Sequence, residues 1–120
     1  MEVVAVEHVQ LAMPPYREDE ARRFYGHLLR LPEKPKPENL AARGGCWFES
    51  ETIKIHLGVE IDFRPAKKAH PAFLVRDQRA LRETLLGAGC EVYDDEPLEG
   101  YHRFYASDPF GNRLEFMEPK

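Results

Sequence analysis

One structural plan appears twice along this chain of 120 residues: a short strand, an amphipathic helix, then further strands. His8 and His56 bound the first copy, 48 positions apart. His70 and Glu115 bound the second, 45 apart, and the copies start 62 positions from each other. A duplicated plan of this kind predicts an α+β fold built from two βαβββ modules. Module one is expected over residues 1–60, a polar linker carrying Pro65 over 61–68, and module two over 69–120, the whole forming a single domain.

The hydrophobic pattern supports that plan element by element. Residues 3–12 alternate: Val4, Val6, His8 and Gln10 point one way, Val3, Ala5, Val9 and Leu11 the other. This reads as a strand ended by Pro14-Pro15. From Arg17 to Leu31 the apolar positions Ala21, Phe24, Tyr25, Leu28 and Leu31 fall at helical spacing, with Glu18, Asp19 and Glu20 in the first turn where the helix dipole favours anions. Residues 36–43 form a weak segment, read as an edge strand, and strands follow at 46–49 and 52–59. In module two, 70–76 is expected as a strand and Asp77 as the N-cap of a helix with Ala80, Leu81, Leu85 and Ala88 on one side. Short strands follow at 90–94, 101–107 and 112–117. Asp108-Pro109-Phe110-Gly111 is the sharpest turn signal and joins the last two strands as a hairpin.

Composition narrows the function classes. The net charge is −4 and acidic and basic residues are interleaved, so no basic footprint for nucleic acid exists. No apolar stretch approaches the roughly 20 residues needed to span a bilayer, and the first residues lack the basic and apolar regions of a signal peptide. Cys46 and Cys90 are expected as ordinary thiols rather than a disulfide. A cytoplasmic protein without membrane or nucleic-acid partners is the expectation.

His8, His56, His70 and Glu115 offer three imidazoles and a carboxylate, a donor set suited to a divalent transition metal. Strand parity places each on the side opposite a wholly apolar face. If each sheet curls, the two concave faces can bring the four together in a cup. Taken singly, any of these histidines reads more readily as structural; the two-copy spacing sets them apart. Donor type does not choose among Zn, Ni, Fe, Mn and Co. His27 lies on the polar side of the first helix, and Phe24-Tyr25 reads as core. Arg103, Tyr105 and Arg113 are candidates for binding an anionic substrate group.

Five stretches carry a family resemblance: His8-Val9-Gln10-Leu11, Ala21-Arg22-Arg23-Phe24-Tyr25, Ile55-His56-Leu57-Gly58-Val59-Glu60, His70-Pro71-Ala72-Phe73-Leu74-Val75, and the run from Asp108 to Phe116. The chain resembles the vicinal oxygen chelate superfamily, which includes glyoxalase I, fosfomycin-resistance thiol transferases, extradiol dioxygenases and bleomycin-resistance proteins. The resemblance implies two βαβββ modules forming a curved mixed-sheet metal cup, with His8, His56, His70 and Glu115 in the ligand positions. It also implies catalytic roles for Glu115 and His56, and a homodimer. The fourth-strand ligand of glyoxalase I is usually Glu, and here His56 takes its place. The reading is a glyoxalase-like lyase or isomerase acting on a small oxygenated metabolite chelated to a divalent cation. A ring-cleaving extradiol-type dioxygenase is the runner-up. A non-catalytic protein that binds and sequesters a drug is the other alternative, and the four ligand residues argue against it.

Overall fold

A computed structural model describes all 120 residues. The chain divides into two compact units, Met1–Phe63 and Arg64–Lys120. Each carries one four-stranded mixed sheet, and the element order is that of a βαβββ module in both. The α+β class and the duplicated topology expected from the sequence are therefore present.

The first unit contains β1 (Val9–Met13), α1 (Glu18–Ala21), β2 (Glu33–Lys34), α2 (Glu38–Ala41), β3 (Cys46–Glu49) and β4 (Lys54–Val59). The sheet order is β1-β4-β3-β2, with β1 parallel to β4 and the other pairs antiparallel. A parallel pair needs a crossover, and the helical segment supplies it. That segment is not one uniform helix. After α1 it widens into a π-helical stretch, Arg22–Leu28, and Leu29 N–H donates to the Phe24 carbonyl at 2.9 Å. The wide stretch buries Phe24 and Tyr25 against the apolar side of the sheet, where Met13, Phe48, Ile55 and Leu57 are also buried.

The second unit contains β5 (Ala72–Leu74), α3 (Gln78–Gly87), β6 (Val92–Tyr93), β7 (Tyr101–Ser107) and β8 (Arg113–Pro119), in sheet order β5-β8-β7-β6. Again the first and last strands are parallel. Asp77 caps α3 as expected, its side chain accepting from Ala80 N–H at 3.1 Å. Glu118 adds to that cap by accepting from the Asp77 and Gln78 amides at 2.8 and 3.1 Å. Leu85 is the buried residue of α3; Ala80 and Ala88, expected beside it, are exposed.

Three expectations are corrected. The first strand begins at Val9, and residues 1–8 lie outside any strand. Its ladder partner is β4, whose first pair is Val9 with Ile55, so the pairing does not reach the earlier residues. Alternation alone cannot make a strand where no partner exists. Residues 38–41 form a helical turn instead of an edge strand, and the edge strand is Glu33–Lys34. Strand β5 is shorter than 70–76, so His70 precedes it as His8 precedes β1. No helix is long and apolar enough to cross a membrane.

Candidate functional site

Register makes the internal repeat concrete. Gln10 pairs with His56, and His8 lies two residues before Gln10. Ala72 pairs with Glu115, and His70 lies two residues before Ala72. His8 and His70 are thus equivalent in the repeat, as are His56 and Glu115. The antiparallel neighbour is aromatic in both units: Trp47 pairs with His56, and Tyr105 with Glu115.

The second unit brings its two expected residues into contact. His70 Nε2 lies 2.9 Å from Glu115 Oε1, and Nδ1 lies 2.9 Å from the Lys68 carbonyl. A carbonyl oxygen only accepts, so Nδ1 carries the hydrogen. The lone-pair nitrogen of a neutral ring therefore faces a carboxylate, an arrangement that requires a cation between them or a second proton on the ring. This is also how a metal-binding histidine is commonly held, with its distal N–H on a carbonyl. The donors His70 Nε2 and Glu115 Oε1 therefore fit a divalent ion.

Glu115 is buried, and its other oxygen accepts from Arg103 Nη1 at 3.0 Å. Burial pushes its carboxyl up, but the contacts with His70 and Arg103 outweigh that and hold it below its ordinary value. Arg103 also donates to the Tyr105 hydroxyl at 2.8 Å and to the Glu96 carbonyl. It is accordingly engaged with protein, and it orients Glu115. Arg113 differs. Its guanidinium lies 4.0 Å from the Tyr105 ring centroid, and its ion pair is a long one, 3.5 Å to exposed Asp95. Tyr93 stacks on Tyr105 with centroids 5.6 Å apart.

The first unit treats its pair in another way. His56 is 4% exposed and sandwiched: Trp47 stacks on it at 4.0 Å, His8 at 4.4 Å with the rings 20° apart. A metal lies in the plane of an imidazole that binds it, because the lone pair is in-plane. Two stacked, nearly parallel rings do not aim at one ion. His56 Nε2 is instead 2.7 Å from Glu49 Oε2, and the bond from His56 is the main cause holding the Glu49 carboxyl below its ordinary value. His8 is exposed and pairs with Glu7 at 2.9 Å. Within either unit taken alone, no three His, Cys, Asp or Glu side chains gather as an ion-holding group. His27 and His102 are exposed and stand apart from these pairs.

Glu49 is the residue that sequence reading missed. It lies diagonal to His56 across the β3–β4 ladder, on the same face. The strand boundaries were legible, but the diagonal partner depends on register. Cys46 and Cys90 are free, and burial pushes the Cys46 thiol up to about 12, so it is an inert core group.

No family model matches the sequence, and no curated protein matches it. Among solved structures, a glyoxalase family protein from Bacillus anthracis is 50% identical, covers 100% of this chain and 98% of its own, and superposes with a TM-score of 0.93. Two more distant structures share the fold. The genomically encoded fosfomycin resistance protein FosX of Listeria monocytogenes is 14% identical over 99% of this chain and 96% of its own, with a TM-score of 0.78. A glyoxalase/dioxygenase from Nostoc punctiforme is 20% identical over 100% of this chain and 98% of its own, with a TM-score of 0.77. On its half-identical, full-length relative and its duplicated βαβββ topology, the chain belongs to the glyoxalase family of the vicinal oxygen chelate superfamily.

Proposed function

We propose that this protein is a metal-dependent, glyoxalase-like enzyme acting on a small oxygenated metabolite. The supporting observation is the His70–Glu115 pair, whose two donor atoms face each other at 2.9 Å while His70 Nδ1 is tied to a backbone carbonyl. His8 is proposed as a further ligand on the strength of family membership and of its equivalence to His70 in the repeat. A bound divalent cation would supply Lewis-acid polarisation of substrate oxygens.

The chain's own residues supply the rest. Glu115 accepts a proton at a carboxylate oxygen, and Arg103 holds that carboxylate in place through Nη1. His56 serves as the second proton-handling group through Nδ1, since Nε2 is bonded to Glu49. Trp47 and His8 fix its ring between them. Arg113 faces the substrate from the same side of the sheet as Glu115, and buried Tyr105 supports it from beneath.

Elemental analysis of protein prepared without added metal tests the reading. A stoichiometric divalent ion is expected, lost in a His8→Ala, Glu115→Ala double variant. A wild-type protein that takes up no ion would overturn it.

We also propose a homodimer. β1 and β5 are edge strands; Leu74 on β5 is 69% exposed, and Val3, Val4 and Val6 stand exposed before β1. Apolar groups left in water in this number favour association. Light scattering should give twice the chain mass, and a monomer at micromolar concentration would refute the pairing.

A further inference from the structure

The second unit holds a cavity of about 320 Å³ lined by Lys67, Glu91, Tyr93, Ser107, Gly111 and Arg113. We propose that it is a binding site for a small oxyanion group, a carboxylate or a phosphate monoester, held between Arg113 and Lys67. This names the charge class of the substrate and rests on the functional reading above.

Arg113 carries the argument. Its Nε is buried without a hydrogen-bond partner, and the guanidinium has only the 3.5 Å contact to Asp95. Arg103 also has an unpartnered Nε, but its remaining nitrogens hold Glu115, Tyr105 and Glu96. Arg113 is partly buried, 16% exposed, and a buried Nε left without an acceptor is costly unless one arrives. The Tyr105 ring beneath Arg113 fixes the plane of its fork, which suits a bidentate oxyanion.

Lys67 supplies the second charge and comes from the segment expected as a linker. That segment is pinned beside the cavity: Ala66 N–H donates to Asn112 Oδ1 at 3.0 Å, and Arg113 N–H donates to the Ala66 carbonyl at 2.8 Å. Lys67 itself makes no ion pair. Glu91 is the opposing charge, and its carboxylate already accepts from the Ser107 hydroxyl at 2.7 Å. The hydroxyl is thus committed to Glu91, and the donors left for a ligand belong to Arg113, Lys67 and Tyr93. The volume lies at the lower end of the range for small-molecule sites, which fits a compact anion rather than a cofactor.

The experiment titrates metal-stripped wild-type protein, in chelator, with acetate and separately with inorganic phosphate, following the backbone amides of Ser107, Asp108 and residues 110–113 by NMR. Saturable shifts with at least one probe are expected, and the stronger probe identifies the source of the oxyanion. Lys67→Gln and Arg113→Gln should each weaken that binding by about tenfold, and Glu91→Gln should tighten it. Arg113→Lys keeps the charge without the fork; if it folds and restores part of the affinity, the charge is confirmed. Absence of saturation by both probes up to about 50 mM overturns the proposal, as does unchanged affinity in Lys67→Gln. Because no metal is present, failure here leaves the metal reading to its own elemental test; failure there leaves the anion binding measurable but removes its tie to a substrate.

Discussion

Glu49 Oε2 sits 2.7 Å from His56 Nε2, on the strand beside it and the same face of the sheet. An ionised carboxylate only accepts, so this contact puts the proton of a neutral His56 on Nε2 and leaves Nδ1 with the lone pair. Glu49→Gln replaces an obligate acceptor with an amide that can donate or accept. We expect ring ¹⁵N shifts to show a single Nε2–H tautomer in the wild type and a mixture in the variant, with a stability loss of about 1–2 kcal/mol. An unchanged tautomer would mean that Trp47 and His8, rather than Glu49, set the ring state.

Gly45 and Gly89 share the same backbone φ of +81° but differ in surroundings. A Cβ on Gly45 would meet the Leu57 carbonyl oxygen at 2.1 Å; one on Gly89 meets nothing within 4 Å. Gly89→Ala carries the left-handed strain alone and should cost about 1 kcal/mol. Gly45→Ala must also push the β3–β4 ladder apart, and it should cost more than about 3 kcal/mol or prevent folding. Urea denaturation of both variants separates strain from clash; equal losses would contradict this account.

The turn that reads most clearly in the sequence is also a polar core. Asp108 Oδ1 accepts from the Phe110 and Asn112 amides at 2.9 Å each, and Oδ2 accepts from Asn112 Nδ2 at 3.0 Å. Both Asp108 and Asn112 are buried. Asp108→Ala removes the acceptor of two backbone amides and of the Asn112 side-chain amide and should cost about 2–4 kcal/mol in chemical denaturation, whereas Asp108→Asn keeps an acceptor and should cost less. Equal losses in the two variants would place the energy in the charge.

How much of this was legible depended on whether the signal was local. Asp108 to Gly111 declare their turn through residue type, and β3 and β7 through alternation bounded by Gly or polar residues; their bounds match the expectation. The duplicated spacing identified His70 and Glu115, which the second unit brings together. Glu49 was hidden because only register tells which residue lies diagonal to His56. Val3, Val4 and Val6 alternate like a strand, yet β4 offers them no partner. The π-helical stretch was hidden too, since over seven residues the apolar positions Phe24, Tyr25 and Leu28 suit either helical pitch.

Arg82 and Asp94 tie α3 to the chain after β6 through two bonds, 2.7 and 2.9 Å. The hydrogen bond from Arg82 holds the Asp94 carboxyl below its ordinary 3.8, so the charged form favours the folded state. That contribution is present above 3.8 and is lost as pH falls through the lowered folded value. Because Asp94 is 63% exposed, solvent screening limits it to about 0.5–1 kcal/mol. Asp94→Asn should therefore be slightly less stable than wild type in urea at about pH 7, and the gap should narrow as the pH falls below 3.8. A gap that persists in acid would assign the loss to packing around Arg82 instead of to the ion pair.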